Sequence, residues 1–199
     1  MSNIVKIIKE GLFDSEDVGI MEGEGYKTLS FFLQYPTDKK NPKGNPIPKQ
    51  SVRHNLIPRK NAKPIVKDGK KYYLISDLYI NSYQTAIITK TEEFLKQQLV
   101  YLLNRYKFLP FTKKVSIEAM IFYFSPLTSM KKSEKETIEL GNVIMKITKP
   151  DLPDNLKKLL LDAMESIVFN NDSLICKETN TAKVYGKKPG VFIKIKGEL

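Results

Sequence analysis

The 199-residue sequence is short of the residue types that build covalent crosslinks and soft metal sites. It has one cysteine, Cys176, and one histidine, His54, so the chain can form no internal disulfide and offers no cysteine-based or histidine-rich zinc site. Any bound metal must be held by oxygen ligands, which favours magnesium, manganese or calcium. Cys176 lies in a run that predicts a β-strand, and we expect it to be buried as a small apolar side chain.

Long apolar runs are also missing. No segment approaches the roughly 20 apolar residues that a membrane-spanning helix needs, and residues 1–19 are too charged and interrupted for a signal peptide. We therefore expect a cytoplasmic protein. Hydrophobic residues still make up 41% of the chain, which is enough to build a core, so the sequence predicts a globular protein.

Acidic residues are outnumbered by basic ones, and the two are unevenly distributed. The net charge of +11 indicates a polyanionic partner, either nucleic acid or an acidic membrane surface. Residues 39–71 contain eleven Lys or Arg against Asp68 alone, whereas residues 1–25 hold six acids against two lysines. This asymmetry predicts an acidic N-terminal extension over residues 1–25 and a basic functional domain over residues 26–199.

Strand patterns recur along the chain. A run over residues 26–36 has the aromatic and β-branched bias of a strand and ends at a proline. Asp68-Gly69 lies between two apolar runs and predicts a hairpin turn. The last two strands, joined around Gly186–Gly190, predict a closing hairpin. In a further strand over residues 115–123 we expect the odd-numbered members to share one face: Val115, Ile117, Ala119, Ile121 and Tyr123.

Helical spacing of apolar residues is clearest over residues 81–106, which contain no proline or glycine. A short charged helix ends at Gly141, and a second main helix begins at Pro153. Residues 37–63 have many prolines and no periodicity, and we interpret them as a long basic loop. Two main helices among about five strands predict an α+β fold in which both helices pack on a mixed β-sheet.

Three aspartates border the second main helix. Asp151 lies just before it, Asp154 lies in its first turn, and Asp172 follows its far end. Asp154, Lys158 and Asp162 are spaced i, i+4 and i+8, so they form one polar ridge. In one interpretation the acids offset the helix dipole and Asp172 is a turn residue. In the other, the three acids hold one or two magnesium ions against a phosphodiester and Lys158 adds a positive charge.

The basic loop carries five side chains that are suited to contacting phosphates: Lys49, Arg53, Arg59, Lys60 and Lys63. Such contacts give affinity and a steep salt dependence without reading bases, so they suit recognition of nucleic acid by shape. A solvated lysine-rich loop is the alternative.

The segment KPDLPDNLKKLLLDAMESIVFNNDSLI resembles the signature of the RusA family of Holliday junction resolvases, crossover junction endodeoxyribonucleases often carried by bacteriophages and prophages. The resemblance extends over about residues 26–196 through the segments GNPIPKQSVR and VYGKKPGVFIKI. The sequence differs from the signature in having an extra residue, Leu152 or Pro153, between the first two acids and Asn171 where an acid often stands. The matched residues are Lys149, Pro150, Asp151, Asp154, Asn155, Leu156, Lys158, Asp162, Ala163 and Asp172.

The resemblance implies a RusA-like homodimer that binds branched DNA, in particular a four-way junction. It would cut two opposed strands by magnesium-dependent hydrolysis in recombination and repair, with Mn²⁺ as a possible substitute. The matched metal ligands are Asp151, Asp154 and Asp172, and Lys158 is the matched catalytic lysine. We expect no membrane partner and no small-molecule organic cofactor. A non-catalytic DNA-binding module of the same fold is the alternative, and a protein of the membrane surface is a distant third.

Overall fold

The computed structural model describes residues 18–49, 53–74, 78–83, 86–150 and 156–199. Over these ranges the chain has an α+β fold, in which helices pack on a mixed β-sheet, as the sequence predicts. Three α-helices and one short 3₁₀ helix are described, and the α-helices are the two main ones and the short charged one before Gly141 that the sequence predicts. They are α1 (Ala86–Arg105), α2 (Lys132–Glu139), α3 (Lys157–Met164) and the 3₁₀ helix Asp172–Leu174.

The main sheet has seven strands in the described part of the chain. Their order is β1-β2-β11-β7-β10-β8, and β9 pairs with β7 on the same side as β10. Central strand β7 runs antiparallel to β11 but parallel to β9 and β10, which makes the sheet mixed. The strands are β1 (Gly19–Gly23), β2 (Tyr26–Leu33), β3 (Arg53–Pro58), β4 (Ile65–Lys67), β5 (Lys70–Tyr72), β6 (Leu78–Tyr83), β7 (Val115–Phe124), β8 (Ile144–Met145), β9 (Ile175–Glu178), β10 (Thr181–Tyr185) and β11 (Gly190–Glu198).

The first two strands form one edge of this sheet. The strand predicted from Tyr26 is confirmed as β2, and β1 folds back on it through a turn at Gly25, whose φ is +74°. Residues 19–23 therefore belong to the main sheet, although they lie within the acidic stretch that the sequence set apart. Residues 1–17 of that stretch lie outside the described residues.

The predicted closing hairpin is wrong. β10 and β11 do not pair with each other, because β7 lies between them and pairs with both. The link around Gly186 crosses the end of β7, where the Gly186 N–H donates to the Phe124 carbonyl oxygen at 2.9 Å. A side chain at residue 186 would meet the Tyr123 ring at 2.8 Å, so the close crossing requires glycine. The sequence shows two strand patterns joined by a short link, and nothing in it indicates that a third strand, β7, lies between them in the sheet.

The prediction that the odd-numbered residues of β7 share one face is also wrong. Ile195 and Lys194 of β11 pair with Ile117 and Ala119, which leaves Glu118 as an extra residue in a β-bulge. The bulge reverses the alternation, so Val115 and Ile117 join Met120, Phe122 and Phe124 in the large core. Ala119, Ile121 and Tyr123 pack on the opposite face with Phe32, Phe192, Ala182 and Val184.

All the described α-helices contribute to the core on one face of the sheet. Leu159, Leu160, Ala163 and Met164 of α3 form its apolar face and are fully buried. From α1 the buried apolar residues are Ile88, Leu95, Leu99, Leu102 and Leu103. None of the helices in the described ranges is long and apolar enough to cross a membrane.

Two small antiparallel sheets lie in the basic part of the chain. The turn predicted at Asp68-Gly69 is confirmed between β4 and β5, and both turn residues have positive φ. Within residues 37–63, β3 pairs with β6, so the expectation of no regular element there is wrong for residues 53–58. β6 also occupies residues 78–83, and for this reason α1 begins at Ala86 and not at residue 81. The partner of β3 lies 20 or more residues further along the chain, so the sequence around β3 does not indicate the pairing.

Candidate metal centre and its surroundings

The two acids at the start of the acidic helix, Asp151 and Asp154, lie in residues 151–155, outside the described residues. The chain on either side is described, up to Pro150 and again from Leu156. The flank before Asp151 contacts β10, and the flank after Asp154 contacts β9.

The flank before Asp151 is held by lysine side chains. Lys183 of β10 donates to the carbonyl oxygens of Thr148 and Pro150 at 2.6 and 2.7 Å. Lys146 is only 7% exposed, and its ammonium lies 5.1 and 5.0 Å from the ring centroids of Phe124 and Tyr185. The same ammonium donates to the Tyr185 hydroxyl at 3.2 Å and to the Thr148 hydroxyl. These bonds fix the backbone immediately before the first aspartate.

The flank after Asp154 is held by an ion pair. Lys157 donates to both carboxylate oxygens of Glu178, at 3.1 and 2.9 Å, and both side chains are about three-quarters buried. The Thr181 hydroxyl donates to the same carboxylate. Leu156, one residue earlier, is fully buried in the core. The first turn of α3 is therefore anchored to the end of β9.

Lys158 differs from its neighbour Lys157. It is exposed, and among the described residues its ammonium has no ion-pair or hydrogen-bond partner. Asp162, one turn further along α3, does not pair with it. The Asp162 carboxylate instead accepts a hydrogen bond from Lys49, whose side chain is 10% exposed and also lies 4.0 Å from Glu92. The predicted ridge thus leaves one free cation, Lys158, within the described part of α3.

Asp172 opens the 3₁₀ helix that follows α3. Asn171 caps this helix, because its side-chain oxygen accepts a hydrogen bond from the Ser173 N–H at 2.9 Å. The capping role gives Asn171 a local structural function at the position where an acid was expected. The Asp172 side chain is exposed, and within the described ranges its carboxylate has no cationic partner. An unpaired carboxylate in a chain of net charge +11 is available to a cation.

The donor chemistry fits a hard divalent cation. Within the described ranges no three acidic, histidine or cysteine side chains form a cluster. Asp172 is the one proposed ligand that lies in those ranges. The remaining proposed ligands are also carboxylates, Asp151 and Asp154, and carboxylate oxygens are the ligands that magnesium and manganese prefer. Cys176 lies in β9 as expected but is exposed, not buried, and its thiol donates to the Val115 carbonyl oxygen at 3.2 Å.

The five basic residues proposed for phosphate contact fall into different environments. Arg59, Lys60 and Lys63 are exposed and have no partner among the described residues. Arg53 lies in β3, opposite Tyr83 of β6. Lys49 is mostly buried in its ion pair with Asp162.

Sequence reasoning missed Glu178 and Lys183, which hold the two flanks of the acidic segment. Both lie more than 20 residues beyond their partners in the chain, so no local spacing connects them. One signal was present: in β10, Thr181, Lys183 and Tyr185 alternate with apolar Ala182 and Val184, which places three polar groups on one face of an internal strand.

Comparison with known families bears on the same region. The family model described as Endodeoxyribonuclease RusA matches residues 76–196, more than half of the chain. A search of the curated proteins finds none that matches. The matched range contains the acidic segment, α3, Asp172 and the strands β7 to β10 that support them. The chain therefore belongs to the RusA family of endodeoxyribonucleases, the family of Holliday junction resolving enzymes.

Proposed function

We propose that this nuclease is a magnesium-dependent, structure-selective enzyme that binds four-way DNA junctions as a homodimer and cuts two opposed strands. The observation that carries the proposal is the acidic signature itself, because it lies inside the range that matches the family and its flanks are both anchored to the central sheet. A dimer suits the reaction, since two identical sites related by a two-fold axis can address two symmetry-related phosphates.

Asp151, Asp154 and Asp172 would hold the metal ion, and Mn²⁺ should substitute for Mg²⁺ because both prefer carboxylate oxygen. When bound, the ion would polarise a non-bridging phosphate oxygen and neutralise developing charge. Lys158 is suited to stabilising charge on the reacting phosphate, because its ammonium is exposed and has no described partner. Lys157 cannot replace it without leaving Glu178.

We assign the contacts with the DNA backbone to Arg53, Arg59, Lys60 and Lys63. The last three are exposed and uncommitted in the described structure, as phosphate contact requires. For Lys49 we propose a structural role instead, because moving its ammonium to a phosphate would leave Asp162 without its partner.

Cleavage of a synthetic four-way junction tests the proposal. With Mg²⁺ the unmodified protein should nick two opposed strands, and without divalent metal it should bind and not cut. Asp154→Asn should bind with similar affinity and not cut, whereas Glu139→Gln, at an exposed acid of α2 outside the signature, should bind and cut as the unmodified protein does. Tight binding of the junction by the unmodified protein, with no cleavage under Mg²⁺ or Mn²⁺, would favour a non-catalytic DNA-binding module of the same fold.

A further inference from the structure

We propose that alternate side chains of β10, with Lys183 as the main one, are positioning residues that hold the two described flanks of the acid-bearing segment and thereby support metal binding. The inference rests on the proposed function and deepens it, because it assigns a role in the reaction to residues outside the acidic signature. These side chains act through Asp151 and Asp154 and do not touch the substrate.

The first observation is the direction of the β10 side chains. Ala182 and Val184 pack in the small cluster on the helix-free face of the sheet, whereas Tyr185 belongs to the large core on the helix face. By strand alternation, Thr181 and Lys183 also point to the helix face. Three consecutive side chains on that face therefore approach the flanks of residues 151–155.

The second observation is that each of the three contacts one of those flanks. Lys183 reaches the carbonyl oxygens of Thr148 and Pro150, the last described residue before Asp151. Tyr185 lies within 3.2 Å of the Lys146 ammonium and the Thr148 hydroxyl. Thr181 bonds Glu178, which in turn holds Lys157. One strand thus fixes the backbone on both sides of the two acids.

The third observation is that Lys183 binds main-chain carbonyl oxygens. Lys183 is half-buried, and in the described structure its ammonium bonds two main-chain carbonyl oxygens and no carboxylate. A surface lysine gains little from such bonds, but two of them on alternate carbonyls constrain the backbone that they bind. Groups that orient metal ligands from a distance typically change metal affinity or activity about 10- to 100-fold when removed.

The test compares Lys183→Met, which keeps the stem and removes the donor, with Lys183→Arg, which keeps a donor. Lys187→Met is the matched control, because Lys187 is an exposed lysine whose one ion-pair partner in the described structure is the exposed Glu139, at 3.7 Å. For Lys183→Met we expect kcat to fall about 10- to 100-fold and Mn²⁺ affinity to weaken about tenfold. Junction affinity measured without metal should change less than twofold, and Lys183→Arg should recover most of the lost kcat.

Hydrogen exchange gives a readout that does not depend on cleavage. Lys183→Met should speed amide exchange over residues 146–158, whereas Lys187→Met should leave it unchanged. Tyr185→Phe, which removes only the hydroxyl, should also speed amide exchange, with a smaller effect. This second variant keeps the inference testable if Lys183→Met does not fold.

The inference is overturned if Lys183→Met and Tyr185→Phe both keep wild-type exchange, kcat and Mn²⁺ affinity. It is also overturned if Lys183→Met lowers kcat only in proportion to a loss of folded protein. A wild-type protein that never cuts junctions would instead refute the proposed function, and the exchange experiment would still report on the anchoring.

Discussion

The contact between Lys49 and Asp162 distinguishes a structural lysine from a DNA-binding one. Lys49 lies in the basic stretch from which the sequence predicts phosphate contacts, but its side chain is 10% exposed and bonded to Asp162 of α3. The informative perturbations are Lys49→Met, Asp162→Asn and the double variant, because together they form a double-mutant cycle.

The size of the effect follows from burial. Exposed ion pairs contribute about 0–1 kcal/mol, and removing one partner of a fully buried pair costs about 3–5 kcal/mol. This pair lies between these limits, because Asp162 is 31% exposed and Glu92, 4.0 Å from the ammonium, can partly replace it. We therefore expect each single variant to lose about 1–3 kcal/mol of unfolding free energy. The coupling energy should be about 1–2 kcal/mol.

Urea unfolding measures these free energies. All variants are compared at one protein concentration, because the stability of a dimer depends on concentration. The salt dependence of junction binding provides the second measurement. Lys49→Met should leave the slope of log affinity against log salt unchanged, whereas the control Arg59→Ala should reduce its magnitude by about 1. The reasoning is refuted if Lys49→Met keeps full stability and reduces the salt slope as Arg59→Ala does.

Three further predictions concern single positions. Lys158→Ala should slow cleavage about 100-fold at saturating junction, with unchanged junction affinity, because its exposed ammonium supports no described contact; equal losses in rate and affinity would assign it to DNA binding. Gly190→Ala should cost about 2–4 kcal/mol in urea unfolding, because φ is +153° and a Cβ would lie 2.4 Å from the Leu33 carbonyl oxygen. The control Gly141→Ala, with positive φ but open space, should cost only about 1–2 kcal/mol, and equal costs would contradict the steric argument. Tyr35→Phe should stabilise the protein by about 1–2 kcal/mol, because the buried Tyr35 hydroxyl has no hydrogen-bond partner in the described structure and burial raises its pKa, which keeps it neutral; a lower unfolding midpoint would show that the hydroxyl is bonded.

Local patterns predicted the elements that a few consecutive residues determine, such as the β2 strand and the Asp68-Gly69 turn. The errors arose where a distant segment decides the outcome. The bulge at Glu118 depends on how β11 pairs, and β3 depends on β6. Two strands separated by a short link were taken for a hairpin because β7 is remote in sequence.

In the candidate site, too, the local sequence could not show contacts with residues that are distant in the chain. The resemblance of the acidic segment to the family's signature was sufficient to identify the family, which the family model confirms. Spacing could not separate Lys157 from Lys158, because both are lysines at the start of one helix. Only the position of Glu178 on β9 shows that the first is committed and the second exposed. In the sequence Lys49 likewise resembles the other basic residues of the loop, and only the structure shows its ion pair with Asp162.

Binding of Mn²⁺ to the protein without DNA, measured by calorimetric titration, tests most directly whether three aspartates converge on one ion. The measurement compares the wild type with Asp151→Asn, Asp154→Asn and Asp172→Asn, and Asp162→Asn is the control on the same helix. Each of the three variants should bind Mn²⁺ at least about tenfold more weakly, and the control should bind nearly as the wild type does. Wild-type affinity in Asp172→Asn, together with a loss in the other two, would contradict a shared site.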